Sequence, residues 1–187
     1  MLPNFLNMDV SMNFMPLAPW PLTKQTNGLI ATDKASLAKL WNDIDEATEP
    51  GLSGSIGCYI FSIRAGKGSL PWYVGMAEKQ SFRKECFTPH KINHYNNAIA
   101  SRRGTPEITL IPKYTKGEKL VNPTGNTHRD IQQLEAMLIG NCLTRNRGLL
   151  NLRDTKLLRE MIVPGLLNSP SGNPGSSVRS FKRLIGV

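Results

Sequence analysis

Residues 56–76 read IGCYIFSIRAGKGSLPWYVGM, two apolar runs around a glycine-rich centre. β-Branched and aromatic residues favour strands, and the run Ala65-Gly66-Lys67-Gly68-Ser69 is typical of a hairpin turn. The pattern predicts two paired strands, residues 56–64 and 70–76. Each strand carries a Gly/Tyr triplet, Gly57-Cys58-Tyr59 and then Tyr73-Val74-Gly75, with thirteen residues between them. Two phenolic hydroxyls therefore lie on an otherwise apolar hairpin.

The rest of the chain is predicted to be mainly helical, because its apolar residues recur at helical spacing. Residues 107–114 are the exception and are predicted to form a third strand. The predicted helices cover residues 33–46, 81–87, 88–102, 127–144, 154–161 and 178–185. Thr32 or Asp33 caps the first helix, and Thr127 with Asp130 resembles a capping box at the start of the fourth. Residues 148–152 are predicted to be short and extended, and residues 1–28 to form an arm that is poorly ordered or draped over the domain.

The length and the cysteine content favour a single intracellular domain with an appendage. A chain of 187 residues can bury a sizeable core without disulfides, and three cysteines without paired spacing are typical of reduced thiols. No apolar run reaches the length of a membrane span. The first 22 residues contain no Lys or Arg and are broken by Pro16, Pro19 and Pro21, so we do not expect a secretory signal. We expect a cytoplasmic protein with an N-terminal arm and helix (1–50), a main domain (51–162) and a C-terminal loop and basic helix (163–187).

The net charge of +9 is spread unevenly along the chain. Residues 1–50 contain three Lys and six Asp or Glu, whereas residues 51–187 contain twenty Lys or Arg and eight Asp or Glu. A basic body favours a polyanionic partner, because phosphates that it neutralises release their counterions. A solvated basic surface with no such partner explains the charge equally well.

Glu135 is the sharpest anomaly in the pattern. Ile131, Leu134, Leu138 and Cys142 mark the apolar stripe of the predicted helix, and Glu135 falls on the same stripe. A buried carboxylate without a partner costs several kcal/mol, so this position needs a cation or a catalytic use. The alternative is a salt bridge to an arginine of the hairpin or of the first helix. A hard divalent cation that keeps most of its waters needs only one or two carboxylates, so Glu135 alone is sufficient for one Mg²⁺.

Three further residue types would suit the cleavage of a phosphodiester. Arg83, ten residues after Tyr73, offers a planar fork of donors that matches a phosphate. A tyrosine could orient the attacking water or hold the phosphate, although its pKa of about 10 makes it a weak base without nearby cations. Asn151 follows Glu135 by sixteen residues. Taken singly, each has a simpler explanation as a surface arginine, a packed aromatic residue or a turn asparagine.

Taken together and in this order, these residues resemble the GIY-YIG endonuclease family. The first signature reads Gly57-Cys58-Tyr59, with Cys in place of Ile, and the second reads Tyr73-Val74-Gly75, with Val in place of Ile. The family's helix arginine falls on Arg83, its metal-binding glutamate on Glu135 and its late asparagine on Asn151. The resemblance covers about residues 56–155.

The resemblance implies an α/β (α+β) domain with a small, mainly antiparallel three-stranded sheet flanked by helices. It also implies Mg²⁺-dependent hydrolysis of DNA, with the metal on Glu135 and Mn²⁺ as a substitute. In that reading Tyr59 or a neighbouring base activates the water, Tyr73 positions the phosphate, and Arg83 stabilises the developing charge.

Many members of the family carry a histidine or a further tyrosine on the helices after the arginine. His90, His94 and Tyr95 compete for that position here, and we favour His94 as the site residue. A competing interpretation joins Cys86, His90 and His94 as a zinc site. Pro89 is expected to break the helix between Cys86 and His90, and the sequence offers no fourth ligand.

Basic side chains around the predicted site are candidate contacts to the phosphates of double-stranded DNA. They are Lys84, Lys91, Arg102, Arg103, Lys113 and Lys116, with a second set at Arg179, Lys182 and Arg183. Two other functions stay open: a nucleic-acid-binding module of the same fold that does not cleave, and a subunit recruited by a partner through its N-terminal segment. Because one site per chain must cut two strands, a homodimer or sequential nicking of the two strands would also fit.

Overall fold

The computed structural model describes residues 13–17, 19–66, 68–100, 102–151 and 155–186. In this part of the chain the strands are β1 (Asn13–Phe14), β2 (Trp20–Pro21), β3 (Gly57–Ala65), β4 (Gly68–Ala77) and β5 (Thr105–Tyr114). The helices are α1 (Lys34–Ala47), α2 (Phe82–Glu85), α3 (Pro89–Ala100), α4 (Arg129–Arg145), α5 (Thr155–Glu160) and α6 (Ser176–Ile185). A single 3₁₀ turn, Leu52–Gly54, precedes β3. The described chain is therefore α+β. None of its helices is long and apolar enough to cross a membrane.

The sheet is antiparallel and four strands wide, in the order β1-β5-β3-β4, with β2 also paired to β5. The prediction of three strands is therefore wrong, because it did not include the short strands β1 and β2 that pair with the outer edge of β5. Residues 13–17 and 19–22 run along that edge, and the amides of Leu17 and Leu22 donate to the carbonyls of Leu110 and Pro106. The described part of the predicted arm is thus draped, because its backbone pairs with an edge that would otherwise stay unpaired. Residues 1–12 of that arm lie outside the described ranges.

The hairpin β3–β4 places the two triplets directly beside each other. Tyr59 pairs with Gly75, and Phe61 pairs with Tyr73. β3 is also paired along its other edge to β5, so it is the central strand. Both of its faces are covered, since Tyr59, Phe61 and Ile63 belong to one apolar cluster and Cys58 to another.

Helices cover both faces of the sheet. Trp41 and Ile44 of α1 and Tyr95 and Ala98 of α3 pack in the larger cluster. On the opposite face, α4 packs through side chains that follow one helical stripe, namely Ile131, Ile139, Cys142 and Leu143. The three cysteines are buried and free, as predicted for reduced core thiols.

The ends of two helices test the predicted caps. Asp33 caps α1, since its Oδ1 accepts a hydrogen bond from the Ser36 amide at 2.9 Å. The capping box at Thr127 and Asp130 is wrong, because the N-cap of α4 is His128 and it makes no side-chain cap bond. The carboxylate of Glu78, which follows β4, accepts the His128 amide instead at 2.8 Å. A residue distant in sequence has replaced the local cap.

Residues 146–151 form no strand, although we predict residues 148–152 to be extended. Instead this segment follows the outer edge of β4, where the Leu150 amide donates to the Trp72 carbonyl at 2.8 Å. The Asn146 side chain donates to the Pro71 carbonyl at 2.7 Å. The predicted residues Leu152 and Asp154 lie outside the described ranges.

Candidate functional site

A cleft of about 670 Å³ lies beside β4, between α3 and α4. The end of β4 contributes Tyr73 and Met76, and the segment after α4 contributes Leu150 and Asn151. Seven ionisable side chains besides Tyr73 line it: Glu78, Lys79, Glu85, His90, Lys91, His94 and Glu135. The fold therefore brings four of the six predicted site residues, Tyr73, His94, Glu135 and Asn151, to one cleft.

Tyr73 lies at the centre of this group. Its ring stacks on His94 with centroids 5.3 Å apart and lies 6.4 Å from the ring of Tyr59. Burial first, and then the charge of Glu135, raises the pKa of Tyr73 to about 12. At neutral pH its hydroxyl therefore keeps its proton and can act as a hydrogen-bond donor, but not as a base.

Glu135 is half-buried on α4, not fully buried as its position on the stripe predicts. It lines the cleft, so the partial exposure faces the space where a ligand would lie. It is also not the lone carboxylate of the region, because Glu78 and Glu85 line the same cleft. The apolar stripe of α4 predicted the importance of Glu135, but it could not predict the cleft beside that residue.

Tyr59 lies in the core behind the cleft and is fully buried. Its ring covers Gly75, where a Cβ would lie 2.8 Å from the Tyr59 Cε2 atom and closer still to the end of the ring. Its hydroxyl has no hydrogen-bond partner of normal geometry among the described residues. Burial raises the pKa of Tyr59 well above its ordinary value, so it is a neutral phenol in this structure.

The three candidate site residues on α3, His90, His94 and Tyr95, differ in whether they reach the cleft. Tyr95 is fully buried, and its hydroxyl donates to the Cys86 carbonyl at 2.9 Å. His90 and His94 both line the cleft, with their Nε2 atoms 3.0 Å apart. Burial, and then the neighbouring His90, lowers the pKa of His94. His94 is therefore a neutral imidazole at neutral pH and can accept a proton.

A Lys91–Glu85 ion pair lies in the cleft wall and was not predicted from the sequence. Lys91 is 8% exposed, contacts the Glu85 carboxylate and lies 5.5 Å from the centre of the Tyr59 ring. We predicted Lys91 as a surface contact to DNA, and the structure places it inside. The signal was present, because Lys91 precedes the buried residues Tyr95 and Ala98 at helical offsets of four and seven.

Arg83 lies outside the lining of the cleft. Its guanidinium donates to Ser53 Oγ at 3.0 Å and lies 3.5 Å from the Asp45 carboxylate, and the side chain is 46% exposed. These contacts join α2 to α1 and to the 3₁₀ turn. The structure therefore does not bring Arg83 together with Tyr73 and Glu135.

Asn151 is buried and pairs with the backbone of β4. Its Nδ2 donates to the Val74 carbonyl at 2.7 Å, and its Oδ1 accepts the Val74 amide at 2.9 Å. The side chain thus substitutes for one residue of a neighbouring strand. Both ends of the amide are occupied, which gives Asn151 a structural role beside the cleft.

The remaining predicted DNA contacts fall into two groups. Lys84, Arg103 and Lys116 are exposed. Arg102 lies over the Trp72 ring, 3.6 Å from its centroid, and Lys113 forms an ion pair with Asp130 at 2.6 Å. The exposed group fits a phosphate contact better, because its side chains reach the solvent from which a nucleic acid would approach.

The donors in the cleft suit magnesium better than zinc. Across the residues that the structure describes, no three or more His, Cys, Asp or Glu side chains are grouped to hold a metal ion. Cys86, the thiol of the alternative zinc set, is fully buried, and burial raises its pKa well above the ordinary value. A single carboxylate such as Glu135 fits Mg²⁺, which keeps most of its water ligands.

Comparison with protein-family models, with curated proteins and with solved structures finds no match to this chain.

Proposed function

We propose that this chain is a GIY-YIG-type endonuclease that hydrolyses phosphodiester bonds of DNA with one divalent metal ion. The observation that carries the proposal is the meeting of Tyr73, His94 and Glu135 in one cleft. These residues come from β4, α3 and α4, and they are three of the family's expected site positions. The basic body of the chain supports a nucleic-acid substrate.

Glu135 would hold the metal through its carboxylate oxygens. A bound Mg²⁺ supplies Lewis-acid stabilisation of the charge that develops on the phosphate. Tyr73, protonated at neutral pH, donates a hydrogen bond to a phosphate oxygen. His94, neutral because burial lowers its pKa, accepts the proton of the attacking water. The stacking of the two rings fixes the angle between donor and base.

Positive charge in this cleft comes from lysines and not from Arg83. Lys79 is exposed on its wall, and Lys91 lies behind it beside Glu85. We propose that Lys79 contacts the substrate phosphates. Lys91 would hold Glu85 and the Tyr59 ring in place, because separating a buried ion pair leaves an uncompensated buried charge and is strongly unfavourable.

Incubation with supercoiled plasmid tests the proposal and separates it from the two alternatives. We expect nicked and linear products with Mg²⁺ and intact plasmid with EDTA. A gel-shift assay in EDTA, at low and at high salt, measures binding independently of cleavage. Salt-sensitive binding without cleavage in Mg²⁺ or Mn²⁺ would replace the proposal with a non-cleaving binding module. If the protein neither binds nor cleaves DNA, the result would favour a subunit that needs a partner.

A further inference from the structure

His90 and His94 form a pair whose geometry the proposed hydrolysis does not require. They lie one turn apart on α3, with ring centroids 4.4 Å apart, nearly perpendicular planes and Nε2 atoms 3.0 Å apart. A histidine nitrogen binds a metal ion at about 2.1 Å, so two nitrogens at a right angle around one ion are about 3.0 Å apart. The imidazoles already have the spacing of two adjacent ligands in a square-planar or octahedral complex.

The surroundings keep this pair available to a metal ion. His94 is stacked on Tyr73, which fixes the orientation of its ring. His90 is exposed, so an ion can reach the pair from solvent. The contact between the two nitrogens needs one proton, which would leave when the metal ion binds.

We propose that His90 and His94 chelate a late first-row transition-metal ion, of the Ni²⁺ or Cu²⁺ class, at the rim of the cleft. Imidazole nitrogens suit these ions, whereas Mg²⁺ prefers the carboxylate oxygens of Glu135. The right-angle spacing favours tetragonal ions over tetrahedral Zn²⁺, whose two nitrogens would lie about 3.4 Å apart. Water molecules complete the coordination, because the protein supplies two ligands. This two-histidine site differs from the alternative zinc site of Cys86, His90 and His94, because it does not include the buried Cys86 thiol.

Calorimetric titration with NiCl₂ tests the site without any assay of cleavage. The protein carries no histidine tag, and the four samples are the wild type, His90→Ala, His94→Ala and His128→Ala. His128, the third histidine of the chain, lies at the start of α4 and serves as the matched control. We expect one Ni²⁺ per wild-type chain and the same affinity for the control. Each α3 variant should lose at least about tenfold in affinity, because changes to mere supporting residues already reach that size.

Two results would overturn the proposal. One is a wild-type protein that binds no Ni²⁺ at millimolar concentration. The other is binding that survives unchanged in both α3 variants or that depends on His128 alone. Because His90 is exposed, its removal should leave the fold intact, and a thermal melt of each variant checks this. The result stands whether or not the chain cleaves DNA, so the two proposals fail separately.

Discussion

Tyr59 and Gly75 show why the two triplets depend on each other. They are partners across the β3–β4 hairpin, and the Tyr59 ring covers the Gly75 Cα. Gly57 is constrained in the same way by β5, because a Cβ there would lie 2.9 Å from the Pro112 Cα and closer still to the Ile111 carbonyl oxygen. The glycines are thus set by close packing, and this packing fixes the strand register that places Tyr73 in the cleft.

Gly75→Ala should destabilise the fold. The added methyl group must displace a fully buried ring, and over-packing of this kind costs about 1–3 kcal/mol. Gly140→Ala is the matched control, because a Cβ at that position in α4 meets open space. It should stabilise by roughly 0.5–1 kcal/mol, the usual gain from Gly to Ala within a helix. Urea unfolding measures both, and equal stabilities of the two variants would contradict the packing argument.

The residues themselves could be predicted only in part. The two tyrosines, Glu135 and His94 follow from triplets, a helical stripe and a family resemblance. The placement of Arg83 could not be predicted, because its partners Ser53 and Asp45 come from a separate segment of the chain. The same limit applies to Glu78, whose role as the substitute cap of α4 appears only when β4 and α4 meet.

β4 illustrates how an element at the edge of a sheet is completed by side chains. One edge pairs with β3, and the other receives Asn146, Leu150 and Asn151 from the segment after α4. An unpaired buried backbone group costs about as much as a lost hydrogen bond, so this segment stabilises the strand that carries Tyr73.

Asn151→Asp should destabilise the protein at neutral pH and recover as the pH falls. The carboxylate can still accept the Val74 amide but leaves the Val74 carbonyl without a donor, at a cost of about 1–3 kcal/mol. Protonation restores the donor, so the carboxyl pKa is raised in the folded state and stability is lost as the pH rises through that pKa. Unfolding curves at acidic and neutral pH measure this, with Asn97→Asp on the exposed face of α3 as the control. A pH-independent loss equal in both variants would argue against the pairing.

At the scale of elements, the sequence predicts local secondary structure but does not predict which segments pair with the edges of the sheet. The hairpin, the third strand and the main helices are predicted within a few residues, because β-branched runs, turns and helical stripes are local signals. β1 and β2 are missed, since two-residue strands carry no periodicity and form only against the finished edge of β5.

Across the whole molecule, every tyrosine has a raised pKa. Burial is the largest cause in each case. It raises the pKa to about 12 for Tyr73 and Tyr114, and well above the ordinary value for Tyr59 and Tyr95. The chain contains four tyrosines, so all of its phenols are protected by the fold.

Spectrophotometric titration at alkaline pH should therefore show no ordinary tyrosine. Because the folded pKa values exceed the unfolded value of about 10, their contribution to stability is complete below pH 10 and is lost as the pH rises through about 12. We expect tyrosinate absorbance to appear together with unfolding, whereas protein in denaturant ionises near pH 10. A tyrosine that titrates near pH 10 while the circular dichroism stays native would contradict this burial.

The cleft is also a property of the whole molecule. Its lining comes from segments separated by up to 85 residues, from Tyr73 to Leu158, and the sequence could not show that Arg83 lies outside it. What the sequence indicates is the chemistry, namely one carboxylate, one imidazole and phenols, and the fold brings the carboxylate, the imidazole and one phenol together.

The most direct test of the central claim is the plasmid-cleavage rate of Glu135→Gln in Mg²⁺ against that of Glu46→Gln. Both substitutions remove one carboxylate, but Glu46 is exposed on α1, outside the cleft. We predict that Glu46→Gln cleaves like the wild type and that Glu135→Gln is slower by at least about a hundredfold, with an unchanged melting temperature. Equal rates for the two variants would contradict the assignment of the metal and of the active site to this cleft.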